Sequence, residues 1–150
     1  MADTPPAPSR IRTLPSWLLG RCAARGRGLV AEALAEEGQR MWHHVVLAAV
    51  ADLQPIAQAE LGRSIALDPK DVVGILNDLQ TDGYLLREPD ASDRRKNAVR
   101  ITPEGERLLD RCEQAARRAN AALLEPLSPA ERAVFLDMLE RVVTPARNCR

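Results

Sequence analysis

The chain has 150 residues, 45% of them hydrophobic and 28% charged. That length suits one domain with a buried core and argues against two independent enzymatic domains. Lys plus Arg and Asp plus Glu number 21 each, which excludes a histone-like basic protein and requires any nucleic-acid contact to rest on locally concentrated charge.

Residues 1–15, with Pro5, Pro6 and Pro8, read as a flexible arm. No apolar run approaches the ~20 residues of a membrane span, and the start lacks the apolar stretch of a signal peptide. Cys22, Cys112 and Cys149 are far apart and odd in number, so a disulfide scaffold is not expected and a reducing compartment is. The expectation is a cytoplasmic protein without a membrane partner.

Ser16 predicts the cap of a helix over 17–37, stopped by Gly38. Gly20, Gly26 and Gly28 interrupt it, at roughly 1 kcal/mol each relative to Ala, so it needs support from packing or from another subunit. A second helix spans 41–53, and Pro55 forbids its continuation. Ile56 and Ala57 suggest a short strand. A helix over 58–65 follows, with Ala59, Leu61 and Ile65 facing inward. Ala66, Leu67 and Asp68 make a tight turn, and Asp68 with Pro69 opens the next helix. That helix carries Val72, Ile75, Leu76 and Leu79 at 3.6-residue spacing and ends at Gly83. Two short helices joined by a turn of about three residues give the helix-turn-helix outline.

Residues 85–88 and 98–102 read as strands around a polar loop over 89–97. Thr102 and Pro103 start a long helix to about Leu124, with Leu108, Leu109, Cys112, Ala115 and Ala119 on one side. Ser128-Pro129-Ala130-Glu131 is a capping box before a last apolar helix ending at Pro145. The predicted fold is mainly α with a two- to three-stranded β-wing: a winged helix-turn-helix core between terminal helices available for dimerisation. Its expected division is a dimerisation helix over 16–40, a DNA-binding region over 41–102, and a long helix, dimerisation helix and tail over 103–150.

The order of elements resembles the MarR family of bacterial transcription regulators. The most specific stretch is Asp93-Arg94-Arg95-Lys96-Asn97-Ala98-Val99-Arg100-Ile101-Thr102-Pro103-Glu104-Gly105, similar to that family's wing and the helix start behind it. A second match runs from Gln58-Ala59-Glu60-Leu61 through Leu67-Asp68-Pro69 to Val72, Leu76, Leu79 and Gly83. The resemblance covers about residues 16–143. It implies a homodimer whose recognition helices, 68–82 here, enter successive major grooves of double-stranded DNA while the wing tips reach the flanking minor grooves. By position Arg95 is the wing-tip arginine, between Arg94 and Lys96, and Asp93 is the carboxylate that orients it. A narrow minor groove concentrates negative potential and attracts an inserted Arg.

The outward positions of the recognition helix depart from the family's usual hydroxyl-bearing or basic residues. They are Lys70, Asp71, Val73, Gly74 and Asn77, after Pro69 and with Asp78 behind. Lys70 suits a phosphate or guanine, Asn77 an adenine edge, Val73 a thymine methyl and Asp71 the cytosine amine. Four aromatic residues in the chain do not make a single-strand stacking platform, which favours duplex DNA.

The resemblance also implies a phenolic or carboxylate small-molecule effector, for which Trp17, Arg21, Trp42, His43 and His44 are the candidate pocket; plain core packing is the competing reading. Some members bind zinc through histidines, but the long helix here offers Cys112 and Glu113 and no His, so no metal is expected and His43–His44 read as a partly buried polar pair. Some members sense peroxide through a cysteine near the start of the first helix. Arg21 and Arg25 flank Cys22 with positive charge, although a small buried hydrophobe is the favoured role for it. The expectation is a repressor modulated by an effector. The alternatives are a winged-helix protein–protein module and a thiol-redox regulator using Cys22. No glycine-rich phosphate loop or nucleophile elbow is present, so neither an enzyme nor a cofactor is expected.

Overall fold

Proline sets the start of most of the helices. The computed structural model describes residues 8–89 and 97–144. These form α1 (Pro15–Glu36), α2 (Met41–Leu53), β1 (Ile56–Ala57), α3 (Gln58–Ser64), α4 (Pro69–Thr81), β2 (Leu85–Pro89), β3 (Asn97–Ile101), α5 (Pro103–Leu123) and α6 (Pro129–Val143). Four of the helices, α1, α4, α5 and α6, open on a proline, where its fixed φ suits the first turn and its missing N–H costs nothing. This corrects the expected start of α1. Pro15 begins the helix, two residues before the expected Trp17, so Ser16 lies inside it, and the extended Leu14 ahead of it makes no side-chain cap.

The caps of α4, α5 and α6 use side chains, whereas α2 and α3 have none. Asp68 accepts from the Lys70 amide at 2.9 Å, and the Thr102 hydroxyl accepts from the Gly105 amide at 3.0 Å. At α6 the Glu131 carboxylate accepts from the Ser128 amide at 2.8 Å, completing the capping box. At the other ends, Gly38 and Gly83 take φ of +70° and +80°. The next residues, Gln39 and Tyr84, donate back to Leu34 and Leu79 and satisfy the last carbonyls.

One core joins the elements. Leu47, Leu61, Val72, Leu76, Leu79, Leu85, Val99 and Leu108 are at most 1% exposed within it. The stripe Val72–Ile75–Leu76–Leu79 is buried as its spacing predicts, while Ala59, expected inward on α3, is exposed. With seven residues, α3 makes two turns, and Leu61 and Gly62 bring its inner side against α4.

The strands form an antiparallel sheet in the order β1-β3-β2. Ile56 pairs with Val99, and Leu85 with Ile101, so the wing is anchored to the start of α3 as well as to its own hairpin. The Thr102 hydroxyl also donates to the Gly83 carbonyl at 2.8 Å, tying the end of α4 to the start of α5. There a Cβ on Gly105 would run into the Tyr84 carbonyl, so only glycine lets α5 approach this closely.

α1 packs along α5. A Cβ on Gly26 would lie 3.1 Å from Leu123, which gives one of its three glycines a packing role; Gly20 and Gly28 face open space. α6 buries none of its residues, and Val134, Leu136, Met138, Val142 and Val143 on it are exposed.

Candidate nucleic-acid interface

A helix can read a partner only if one face is fixed and the other is free. α4 meets both conditions. Its apolar stripe is locked in the core, and Pro69, Lys70, Asp71, Val73, Gly74, Asn77 and Asp78 all lie exposed on the opposite side. The cap at Asp68 fixes its first turn, and Gly74, with nothing near a Cβ position, leaves the middle of the outer face flat.

Two contacts from outside α4 shape that face. The first comes from the start of α2. Arg40 Nη2 donates to Asp78 Oδ2 at 2.8 Å, and His43 Nε2 lies 3.2 Å from the same oxygen. Arg40 Nη2 is also 3.0 Å from His43 Nε2. A guanidinium only donates, so Nε2 can serve Asp78 as a donor or Arg40 as an acceptor, not both. His43 Nδ1 is buried without a partner among the described residues, and an orphaned N–H is the rarer arrangement, which assigns the hydrogen to Nε2 and the bond to Asp78. The Arg40–Asp78 pair is solvent-exposed and worth at most about 1 kcal/mol. Its larger effect is to offset the negative charge of Asp78 beside the outer face.

The second contact comes from the wing. Leu85 is buried on β2, and strand alternation places Arg87 on the same side. Arg87 is half-buried, and its Nη2 donates to Asn77 Oδ1 at 2.6 Å. Farther along the wing, Arg100 lies 3.7 Å from Glu88. Asp93, Arg94, Arg95 and Lys96 lie outside the described residues. Arg40 was missing from the residues expected to act here, because its partner is 38 positions away in the chain. Arg87 was missing as well, although its i+2 relation to Leu85 carries the signal.

Of the candidate effector residues, Trp42 and His43 border a cavity of about 530 Å³ between α2 and α4, together with Arg40, Lys70, Gly74 and Asp78. Arg21 borders a different cavity of about 440 Å³ with Cys22, Leu123 and Phe135. Trp17 is half-buried in the first turn of α1. His44 is half-buried, and burial lowers its pKa while the facing Glu113 opposes the shift. The five residues therefore do not share one of these cavities.

Cys22 is exposed, not the buried hydrophobe favoured from the sequence, since it borders an open cavity between α1 and the end of α5 instead of the packed core. Cys112 is buried, as expected of its place on the apolar side of α5, and burial raises its thiol pKa. Cys149 lies outside the described residues. Among the described residues no group of three or more His, Cys, Asp or Glu side chains is placed to hold a metal ion. No helix there is long and apolar enough to cross a membrane.

A model of the MarR family matches residues 37–96, which run from the end of α1 into the wing. The HTH-type transcriptional repressor NicR of Pseudomonas putida is 33% identical over 104 residues, 69% of this chain and 66% of its own length. The chain belongs to the MarR family of transcriptional regulators. A putative transcriptional regulatory protein for the hcr operon of Thauera aromatica is 30% identical over 97 residues, 65% of this chain and 58% of its own length. The matches thus span somewhat less than two thirds of these curated relatives. Wild-type MarR of E. coli in its apo form has the same fold, with a TM-score of 0.80 at 21% identity, covering 87% of this chain and 96% of that one. The MarR family protein RV2887 of Mycobacterium tuberculosis, solved with p-aminosalicylic acid, superposes with a TM-score of 0.72 at 27% identity, covering 87% and 98%. The winged helix-turn-helix expected from the residues is therefore the fold of the chain, with the third strand present.

Proposed function

We propose that this MarR-family chain is a dimeric, sequence-specific reader of double-stranded DNA that acts as a repressor and responds to a small aromatic carboxylate. The observation that carries the reading is α4: a capped helix locked by four buried residues, with a solvent-facing row beside a wing. On this reading Pro69, Lys70, Asp71, Val73, Gly74 and Asn77 face the major groove. Arg94, Arg95 and Lys96 reach the minor groove, with Asp93 orienting Arg95. Exposed Val134, Met138 and Val142 on α6, and Leu18 on α1, supply the apolar surface a second subunit would cover.

The name of NicR supports repression, and the molecule bound to RV2887 supports an aromatic acid as effector class. The cavity beside α4 suits such a molecule, since Arg40 and Lys70 can meet a carboxylate and Trp42 can stack on a ring. An effector acts here by population shift. Because the cavity borders Lys70 and Gly74, it weakens DNA binding as far as it prefers the DNA-free form of that face, and any change in the spacing of two α4 helices adds to this. No catalytic step is needed for this role.

The test is a titration of duplex DNA from the gene's own upstream region against wild type and Arg95→Ala over a range of salt. The reading expects the variant to bind more weakly and with a flatter salt dependence, since one fewer phosphate-field contact releases fewer ions. Equal binding by both proteins would remove Arg95 from the wing tip. No duplex binding at all, with a stable complex to another protein, would instead favour the protein–protein module, which the sparse positive charge on α4 keeps in view.

A further inference from the structure

Asn77 faces outward at the middle of α4, where a free asparagine would be expected to take adenine. That pairing uses both ends of the amide, the oxygen accepting from adenine N6 and the nitrogen donating to N7. In this structure the oxygen end is already engaged by Arg87 Nη2 at 2.6 Å. A guanidinium has no acceptor, so the amide cannot be turned the other way without losing the bond. The contact is charge-assisted, which makes it one of the stronger hydrogen bonds available to the helix surface. Arg87 is itself held: its stem is half-buried on β2 beside Leu85, and its Nε is buried without a partner among the described residues.

We propose that Asn77 and Arg87 act as one donor-only reading head, and that the base it takes is guanine, not adenine. The inference rests on α4 being the recognition helix. With Oδ1 turned toward Arg87, one of its two lone pairs is taken, and the NH₂ group is the end of Asn77 left for the DNA to meet. Guanine presents two acceptors, O6 and N7, on its major-groove edge, whereas adenine places a competing amine beside its single acceptor. Cytosine offers only a donor. Arg87 is thus a specificity-determining residue supplied by the wing strand, and it acts by setting which end of Asn77 faces the DNA.

Selection from a random duplex library, run in parallel on wild type, Asn77→Ala and Arg87→Met, tests this. Wild type should select a two-fold-symmetric site, and Asn77→Ala should lose preference at one position of each half-site, where wild type selects guanine. Exchanging that guanine for adenine should weaken wild-type binding roughly five- to a hundredfold. Arg87→Met should reverse the preference to adenine by freeing the Asn77 oxygen. A base other than guanine at the Asn77-dependent position overturns the inference. So does an unchanged guanine preference in a folded Arg87→Met protein. If Arg87→Met fails to melt cooperatively, the base lost in Asn77→Ala decides alone, because that residue is exposed and its removal leaves the core intact. A symmetric site indifferent to Asn77 overturns this inference and leaves DNA recognition standing. Enrichment of no sequence by any of the proteins removes the recognition role of α4 itself.

Discussion

Ala66 carries an unusual backbone demand. It sits at the turn between α3 and α4 with φ of +52°, the left-handed region where a Cβ crowds the carbonyl and costs about 1–2 kcal/mol. The turn holds because Ala66 and Leu67 donate to the carbonyls of Arg63 and Gly62. Ala66→Gly should therefore raise stability by up to about 1 kcal/mol, the strain relieved being partly offset by the freedom glycine adds to the unfolded chain. A higher urea midpoint at unchanged slope is the expected result. Gly105→Ala should do the reverse, costing about 1–3 kcal/mol or more by forcing α5 away from Tyr84, read as a lower urea midpoint. His44 adds a dependence on pH. Burial lowers its pKa from 6.5, so the folded chain binds fewer protons than the unfolded one. Its contribution is complete above pH 6.5 and is lost as pH falls below that value toward the lowered folded pKa. Denaturation midpoints should drop on acidification through this window, and His44→Gln should flatten the decline.

Helices and strands were legible where a period or a cap announced them. The 3.6-residue stripe of α4, the alternation of Val99 and Ile101 in β3, and the Ser128–Glu131 box of α6 each needed only neighbouring residues to be read, and each is present. What escaped were interactions between elements. Asp78 was placed behind the outward row of α4 with no partner, because Arg40 lies 38 positions earlier. The Asn77–Arg87 bond spans only ten positions, yet it required knowing that β2 returns along α4. The start of α1 was misplaced because Ser16 is a good cap in isolation, while Pro15 beside it prefers the first helical turn. At this scale the cap of α6 gives a further test. The Ser128 amide and hydroxyl hold the Glu131 carboxyl below its ordinary value of 4.5. The stabilisation it gives is present above that value and is lost as pH falls through the lowered folded pKa. The helical signal of an isolated 126–144 peptide should decline on acidification below the ordinary carboxylate range, and Glu131→Gln should reduce the response.

For the whole molecule, the unburied helices matter most. α6 rests on this chain with no buried residue and displays five exposed aliphatic side chains, so a single subunit leaves a large apolar surface in water. On the dimeric reading, Met138→Asp with Val142→Asp should convert the protein to monomers in sedimentation and weaken DNA binding far more than either subunit's own contacts explain, since the two half-sites would no longer be linked. The link from α4 through Gly83 and Thr102 to α5, and from α5 along α1, ties α4 to the terminal helices, and on the dimeric reading it would set the spacing of the two copies of α4. Footprinting of the purified protein on the DNA upstream of its own gene tests that arrangement most directly. The account predicts one protected region with two-fold symmetry, its half-sites centred about 34 Å apart along the duplex. Protection of a single unpaired half-site, or none on any duplex in dilute salt, would contradict it.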